Sequence, residues 1–211
     1  LISNKIRRIY GILNGTSNFI LTKMLETKKD FSKILKDAQQ LGYAESDPSF
    51  DIDGIDTAHK LAILSSLSFD AVCDLKNIYV DGIRNINLTD LLYAEELGYK
   101  VKLLGMSTFN QKKLTNFVYP CLIEKDELIA KVDDVYNGIV VESDFCNKSF
   151  FQGEGAGSKP TATSVVSDLI NLSINQLDPE LFHKKKNIHS INISERFGSY
   201  YLRFFTIDKP G

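Results

Sequence analysis

Residues 89–108 read Thr89-Asp90-Leu91-Leu92-Tyr93-Ala94-Glu95-Glu96-Leu97-Gly98-Tyr99-Lys100-Val101-Lys102-Leu103-Leu104-Gly105-Met106-Ser107-Thr108, and the pattern of the chain changes within them. Thr89 is a capping residue type and predicts the start of a short helix that ends near Gly98. From Val101 to Thr108 the pattern is that of a strand. Upstream, apolar residues recur at helical spacing. Phe31, Ile34, Leu35, Ala38 and Leu41 predict one helix, with Gly42 where a helix end favours positive φ; Ile55, Ala58, Leu61, Ala62 and Leu64 predict another. Before these come a strand over Lys5–Leu13 and a helix running to about Lys28, with Phe19, Ile20, Met24 and Leu25 inward. Downstream, Thr115–Ile123, Gly138–Glu142 and Ser149–Gln152 read as strands, and a last helix runs from about Pro160 to Asn171. Helices and strands in separate runs predict an α+β fold, with a mixed or mostly antiparallel sheet covered by helices on one face.

The 211 residues are 43% hydrophobic and 25% charged, which suits one globular domain or one domain and the start of another. A net charge of −2 gives no reason to expect a nucleic acid or an anionic membrane as partner. No apolar run reaches the roughly 18 residues that a membrane helix needs, and no signal peptide opens the chain. Cys73, Cys121 and Cys146 are odd in number and far apart, so they read as reduced thiols of a cytoplasmic protein rather than a disulfide framework or a zinc site. His59, His183 and His189 form no ligand cluster either. Both ends read as cut. The chain starts at Leu1, and Asp208-Lys209-Pro210-Gly211 is a turn after a strand over Ser199–Ile207. The expected organisation is a domain over 1–177, a polar linker over 178–194 and the beginning of another domain over 195–211.

Chemistry concentrates in Leu41–Lys60, where Glu45, Asp47, Asp51, Asp53 and Asp56 place five carboxylates within twelve residues. Like charges this close need compensation from water, a cation or an amine. Asp56 and Lys60 stand four apart on a predicted helix, hence on one face. They are either a routine surface pair or an acid and amine directed into a site. A calcium loop is rejected: with Gly54 at its sixth position, Ser49 and Lys60 would fill the first and twelfth, and both are wrong for calcium. Asn14-Gly15-Thr16-Ser17-Asn18, at a helix start, offers free backbone N–H groups suited to a carboxylate, although a plain cap would look the same. Gly153-Glu154-Gly155-Ala156-Gly157 is a tight turn that a phosphate could approach closely. The chain contains no Gly-x-Gly-x-x-Gly dinucleotide fingerprint after an opening strand.

Taken together, three segments are more specific than any one. Gly11-Ile12-Leu13-Asn14-Gly15-Thr16-Ser17-Asn18-Phe19-Ile20-Leu21 resembles the opening signature of the homoserine dehydrogenase catalytic domain. Leu41–Leu64 resembles that family's main signature, and Gln152–Gly157 with Pro160-Thr161-Ala162 resembles its closing motif. The departures, at Ser17, Phe19, Thr57 and Thr163-Ser164, remove no functional group. The resemblance covers about residues 5–172 and implies the catalytic-domain fold of that family. It also implies NAD(P)-dependent interconversion of L-homoserine and L-aspartate 4-semialdehyde. Lys60 would act at the reacting oxygen, oriented by Asp56. Glu45 would bind the substrate ammonium. Tyr43, Asp51, Gly15 and Thr16 would line the substrate site, and Gly155, Ala156 and Gly157 would touch the cofactor. The tail from Tyr200 resembles the first strand and turn of a regulatory ACT domain.

The chemistry agrees with those roles. Carboxylates suit an ammonium through charge-assisted hydrogen bonds, and hydride transfer to an aldehyde requires a proton donor at the oxygen. Asp56 favours the charged form of Lys60, so lowering its pKa needs a second cation. The family places another lysine in its nucleotide domain, upstream of Leu1. The resemblance also places most of a sodium or potassium site upstream and implies a homodimer through the sheet. Residues 1–211 alone are expected to be inactive. A non-catalytic module that dimerises and binds amino acids, or a dehydrogenase of another semialdehyde, are the competing readings.

Overall fold

The computed structural model describes residues 3–111, 113–174, 189–190, 193–196, 198–204 and 206. Strand β1 (Ile6–Ile12) leads into α1 (Gly15–Thr27) and α2 (Phe31–Gln40). The one-turn helix α3 (Ser49–Ile52), α4 (Ile55–Phe69), the short strand β2 (Tyr79–Val80) and α5 (Leu88–Glu96) follow. Long strands β3 (Tyr99–Asn110) and β4 (Lys113–Glu124) come next, followed by β5 (Tyr136–Ser143), β6 (Lys148–Glu154) and α6 (Ser158–Ile174). The two-residue strand β7 (His189–Ser190) completes a sheet ordered β2-β4-β3-β1-β5-β6, with β7 also paired to β4. All pairs are antiparallel except β2–β4 and β4–β7, so the fold is α+β with a mostly antiparallel mixed sheet.

Strand alternation explains the two faces. Leu13, Leu103 and Val118 point to one side and meet Ile20 and Met24 of α1, Ile34 of α2, Leu61 of α4 and Leu91 of α5. Helices α1, α2, α4 and α5 thus cover one face. On the other, Tyr10, Ile12, Leu104 and Val140 pack under Ile129 and Val132, which a 3-10 turn over Leu128–Lys131 brings across. Complete burial of a residue such as Leu61, 1% exposed, stabilises the fold by about 1.5–3 kcal/mol.

Four local expectations differ from the structure. The cap before α5 is Asn87 rather than Thr89: its side chain accepts from the Asp90 amide while the Asp90 carboxylate accepts from the Asn87 amide. That reciprocal pair satisfies two otherwise open donors, which Thr89 could not do alone. Inside the acidic loop, Ile52 is fully buried and anchors the turn of α3. Within the expected linker, His189–Ser190 pair with β4; residues 178–188 lie outside the described ones. Finally, the described residues 199–204 form no strand. Instead Tyr201 donates to Asp90 (3.0 Å), and Arg203 pairs with the same carboxylate (3.2 Å).

Lys102 on β3 is 2% exposed. Its three hydrogens go to Asn18 Oδ1 (2.9 Å), the Val132 carbonyl (2.6 Å) and Asp133 Oδ1 (2.8 Å). Burial pushes this amine's pKa down, and the Asp133 hydrogen bond opposes that push. Asp133 is pushed up by burial, but the Lys102 and Lys100 ammonium groups outweigh this and hold it below the usual range. The network fastens α1 to β3 and to the 132–136 segment, since Asn18 Nδ2 also donates to the carbonyls of Val132 and Asp134 at 3.0 Å.

Candidate functional site

The turn after β1 and the start of α4 meet in space. Lys60 Nζ lies 2.8 Å from Asp56 Oδ2 and 3.0 Å from the Leu13 carbonyl. An ammonium has three hydrogens, and unlike Lys102 this one commits only two within the described residues. The Lys60 side chain is 45% exposed and that of Asp56 17%, so the amine faces outward from a half-buried acid. The pair is not a lone surface ion pair, because the main-chain carbonyl of Leu13, in the turn after β1, also holds the amine.

Asn14 joins the second acid to the first. Its Nδ2 donates to Asp51 Oδ1 (2.7 Å) and Asp56 Oδ2 (2.8 Å), while its Oδ1 accepts from the Ser17 amide (2.8 Å). Two more struts bind α1 to the acidic loop: Ser17 Oγ donates to the Asp51 carbonyl (3.0 Å), and Thr16 Oγ1 to the Tyr43 carbonyl (2.6 Å). The Tyr43 ring packs at a tilt of 58° against Phe19, with centroids 5.0 Å apart. Gly15 sits where an added Cβ would stand 2.6 Å from the Val135 carbonyl, so only glycine permits this approach. Gly15 and Thr16 are the first two helical positions, and their amides have no acceptor within the helix.

The five carboxylates divide by partner. Asp56 and Asp51 turn inward to Asn14 and, for Asp56, to Lys60. Asp53 takes a bidentate pair from Arg84 (2.8 Å to each oxygen), whose guanidinium holds it below the ordinary carboxylate range. Hydrogen bonds from Ser49 lower Asp47 in the same way. Glu45 is exposed; its carbonyl accepts from Gln39 (2.9 Å), and its carboxylate joins neither the Asn14 cluster nor Arg84. The structure thus brings together Gly15, Thr16, Tyr43, Asp51, Asp56 and Lys60 and leaves Glu45 at the rim. Asn14 and Arg84 were missed as site residues. Asn14 reads locally as a cap, and Arg84 lies far from Asp53 in sequence.

Gly155, Ala156 and Gly157 form the exposed connection between β6 and α6. Gly157 takes φ +115°, and its carbonyl accepts from the Thr161 amide (3.1 Å), which fixes the start of α6. Gly155 packs against the amide of Asn137, whose Nδ2 donates to the same Leu13 carbonyl that Lys60 uses (3.4 Å). Asn137 Oδ1 is buried without a hydrogen-bond partner among the described residues. An open groove of about 510 Å³ lies beyond Tyr43, between α1, α2 and Val135, and does not contain Lys60. It adjoins the candidate site without being it. Among the described residues no group of three or more His, Cys, Asp and Glu side chains could hold a metal ion, and no helix is long and apolar enough to cross a membrane.

A family model described as homoserine dehydrogenase matches residues 1–170. The chain belongs to the homoserine dehydrogenase family. A homoserine dehydrogenase of Neisseria gonorrhoeae is 41% identical over 220 residues, covering 100% of this chain and 51% of the relative. The chain therefore spans about half the length of the curated relatives it matches. The crystal structure of a homoserine dehydrogenase from Thiobacillus denitrificans superposes with a TM-score of 0.80 at 46% identity, over 82% of this chain and 40% of that one. A hyperthermophilic archaeal homoserine dehydrogenase in complex with NADPH superposes with a TM-score of 0.67 at 29% identity, over 82% of this chain and 49% of that one.

Proposed function

We propose that this chain forms the substrate-binding half of an NAD(P)-dependent homoserine dehydrogenase that interconverts L-homoserine and L-aspartate 4-semialdehyde. The observation that carries this reading is Lys60, held by Asp56 and the Leu13 carbonyl with one hydrogen uncommitted toward the open side. In the reducing direction that ammonium gives a proton to the aldehyde oxygen as negative charge develops, leaving a neutral amine. In the oxidising direction the amine takes the hydroxyl proton. Asp56 steers the amine through its hydrogen bond. The amides of Gly15 and Thr16 receive the substrate carboxylate, and Glu45 at the rim meets its ammonium. Tyr43 and Asp51 wall the site.

The residues at the β6–α6 turn fit a dinucleotide. Gly155, Ala156 and Gly157 leave backbone exposed before a helix N-terminus, and the orphaned Asn137 Oδ1 beside them is an acceptor awaiting a donor. When bound, NAD(P) supplies or removes the hydride. These residues contribute to holding it together with a nucleotide domain. A homodimer through the sheet is the assembly we infer; Phe151, 55% exposed on edge strand β6, is the kind of surface such pairing covers.

Homoserine-dependent NAD(P)H formation by the full-length protein tests the assignment. Lys60→Ala is expected to lower kcat by about 10²–10⁴-fold, and Glu45→Ala to act mainly on KM. A folded full-length protein inert toward homoserine would replace the dehydrogenase reading with that of a binding module.

A further inference from the structure

Asn14 is 5% exposed, and every polar atom of its side chain is committed. One amide hydrogen goes to Asp51 on α3, the other to Asp56 on α4, and the carbonyl caps α1. The opposite amide orientation would set its oxygen against both carboxylates, so the assignment is fixed by charge. The titratable groups facing it are Asp51 from α3 and Asp56 and Lys60 from α4, while Asp53 is turned away to Arg84. Among the described residues Lys60 pairs with Asp56, and no ion pair reaches Asp51. Two carboxylates drawn to one point repel, and a neutral donor that bonds to both holds them side by side.

We propose that Asn14 is a positioning residue of this site, a neutral clamp that sets the spacing of Asp51 and Asp56 so that Asp56 can orient Lys60. The role has three physical requirements. Two donors must leave a single atom, as they do from an amide nitrogen. The group must be neutral at every working pH, so that the net charge beside Lys60 stays that of the two acids. It must also be rigid, which the Ser17 amide secures by holding the other end. Asparagine meets all three. Aspartate has the same shape and caps a helix equally well, but it donates nothing and adds a third negative charge. Serine caps well and is too short to bridge.

The inference rests on the dehydrogenase reading and is tested in the full-length protein with Asn14→Asp and Asn14→Ser. Both keep the cap; the third charge of Asn14→Asp should lower the thermal midpoint, and that of the neutral Asn14→Ser should stay closer to wild type. Asn14→Ser, which keeps the cap and removes both donors, should lower kcat more than it changes KM. At neutral pH kcat should fall at least about tenfold in Asn14→Asp with KM changing less. Wild-type kinetics in Asn14→Ser, or kcat and KM affected alike in both variants, would reduce Asn14 to a cap and overturn the proposal. So would wild-type kinetics in Asn14→Asp. A crystal structure of the folded Asn14→Asp variant reads the clamp without turnover. The Asp51 and Asp56 carboxylates should separate, and unchanged positions overturn the inference even if wild type proves inert toward homoserine. Inert wild type with separated carboxylates would instead sink the dehydrogenase reading and leave the clamp standing.

Discussion

Helices α4 and α6 look alike in sequence and differ in the fold. Both carry apolar residues throughout their length. Yet α4 buries Thr57, Ala58, Leu61, Ala62, Ser65 and Phe69, whereas α6 buries none of its residues. Val165, Val166, Leu169, Ile170, Leu172 and Ile174 are each at least half exposed. An apolar helical stripe reports that a face wants cover; it does not report what covers it. The covered helix is also the one that presents Asp56 and Lys60 on its other side, so packing and chemistry share one rigid element.

The contrast is sharpened first by truncating α4. Leu61→Ala should destabilise the chain by about 3 kcal/mol through lost burial and the cavity left behind, read as a lower urea midpoint. A change below about 1 kcal/mol would mean that α4 is no better anchored than α6, and the comparison would fail. Next comes the approach to α4, where Arg84 holds Asp53. The folded-state pKa of Asp53 lies below its unfolded value. The pair therefore stabilises above the unfolded carboxylate value of about 3.9, and this is lost as pH falls through the lower folded value. Arg84→Ala should lower the urea midpoint slightly at neutral pH, with wild type and variant converging near pH 2; a gap that persists in acid would point to packing rather than charge. The smallest effect is expected in α6. Leu169→Ala should shift stability of the 211-residue chain by no more than about 0.5 kcal/mol, and a loss near that of Leu61→Ala would reveal a covered face.

Periodicity read the helices well because it depends on neighbours three and four residues away, and the positions of α1, α2 and α4 follow directly from it. Phe19, Ile34, Leu61 and their partners lie in one core as their spacing predicts. The short elements were harder to read. The turn of α3 is held by the burial of Ile52 and β7 by its pairing with Lys113 and Leu114, and neither interaction is local in sequence. For the site, the motif supplied the acids and the amine, while the partners came from afar: Arg84 to Asp53, Leu13 to Lys60, Asn14 to two acids at once. The tail differs for the same reason. Tyr201 and Arg203 find Asp90 rather than a strand partner, and no pattern within Ser199–Ile207 encodes that choice.

The Leu13 carbonyl receives Lys60 Nζ and Asn137 Nδ2 together. It belongs to the main chain, so all twenty amino acids would supply the same oxygen at that position. A scan of side chains through the turn after the first strand would therefore pass over one of the two anchors of the Lys60 amine and score position 13 for packing alone. Drift there can remodel the core while the amine keeps its mooring; only replacing the amide bond itself, as an ester backbone would, exposes the dependence.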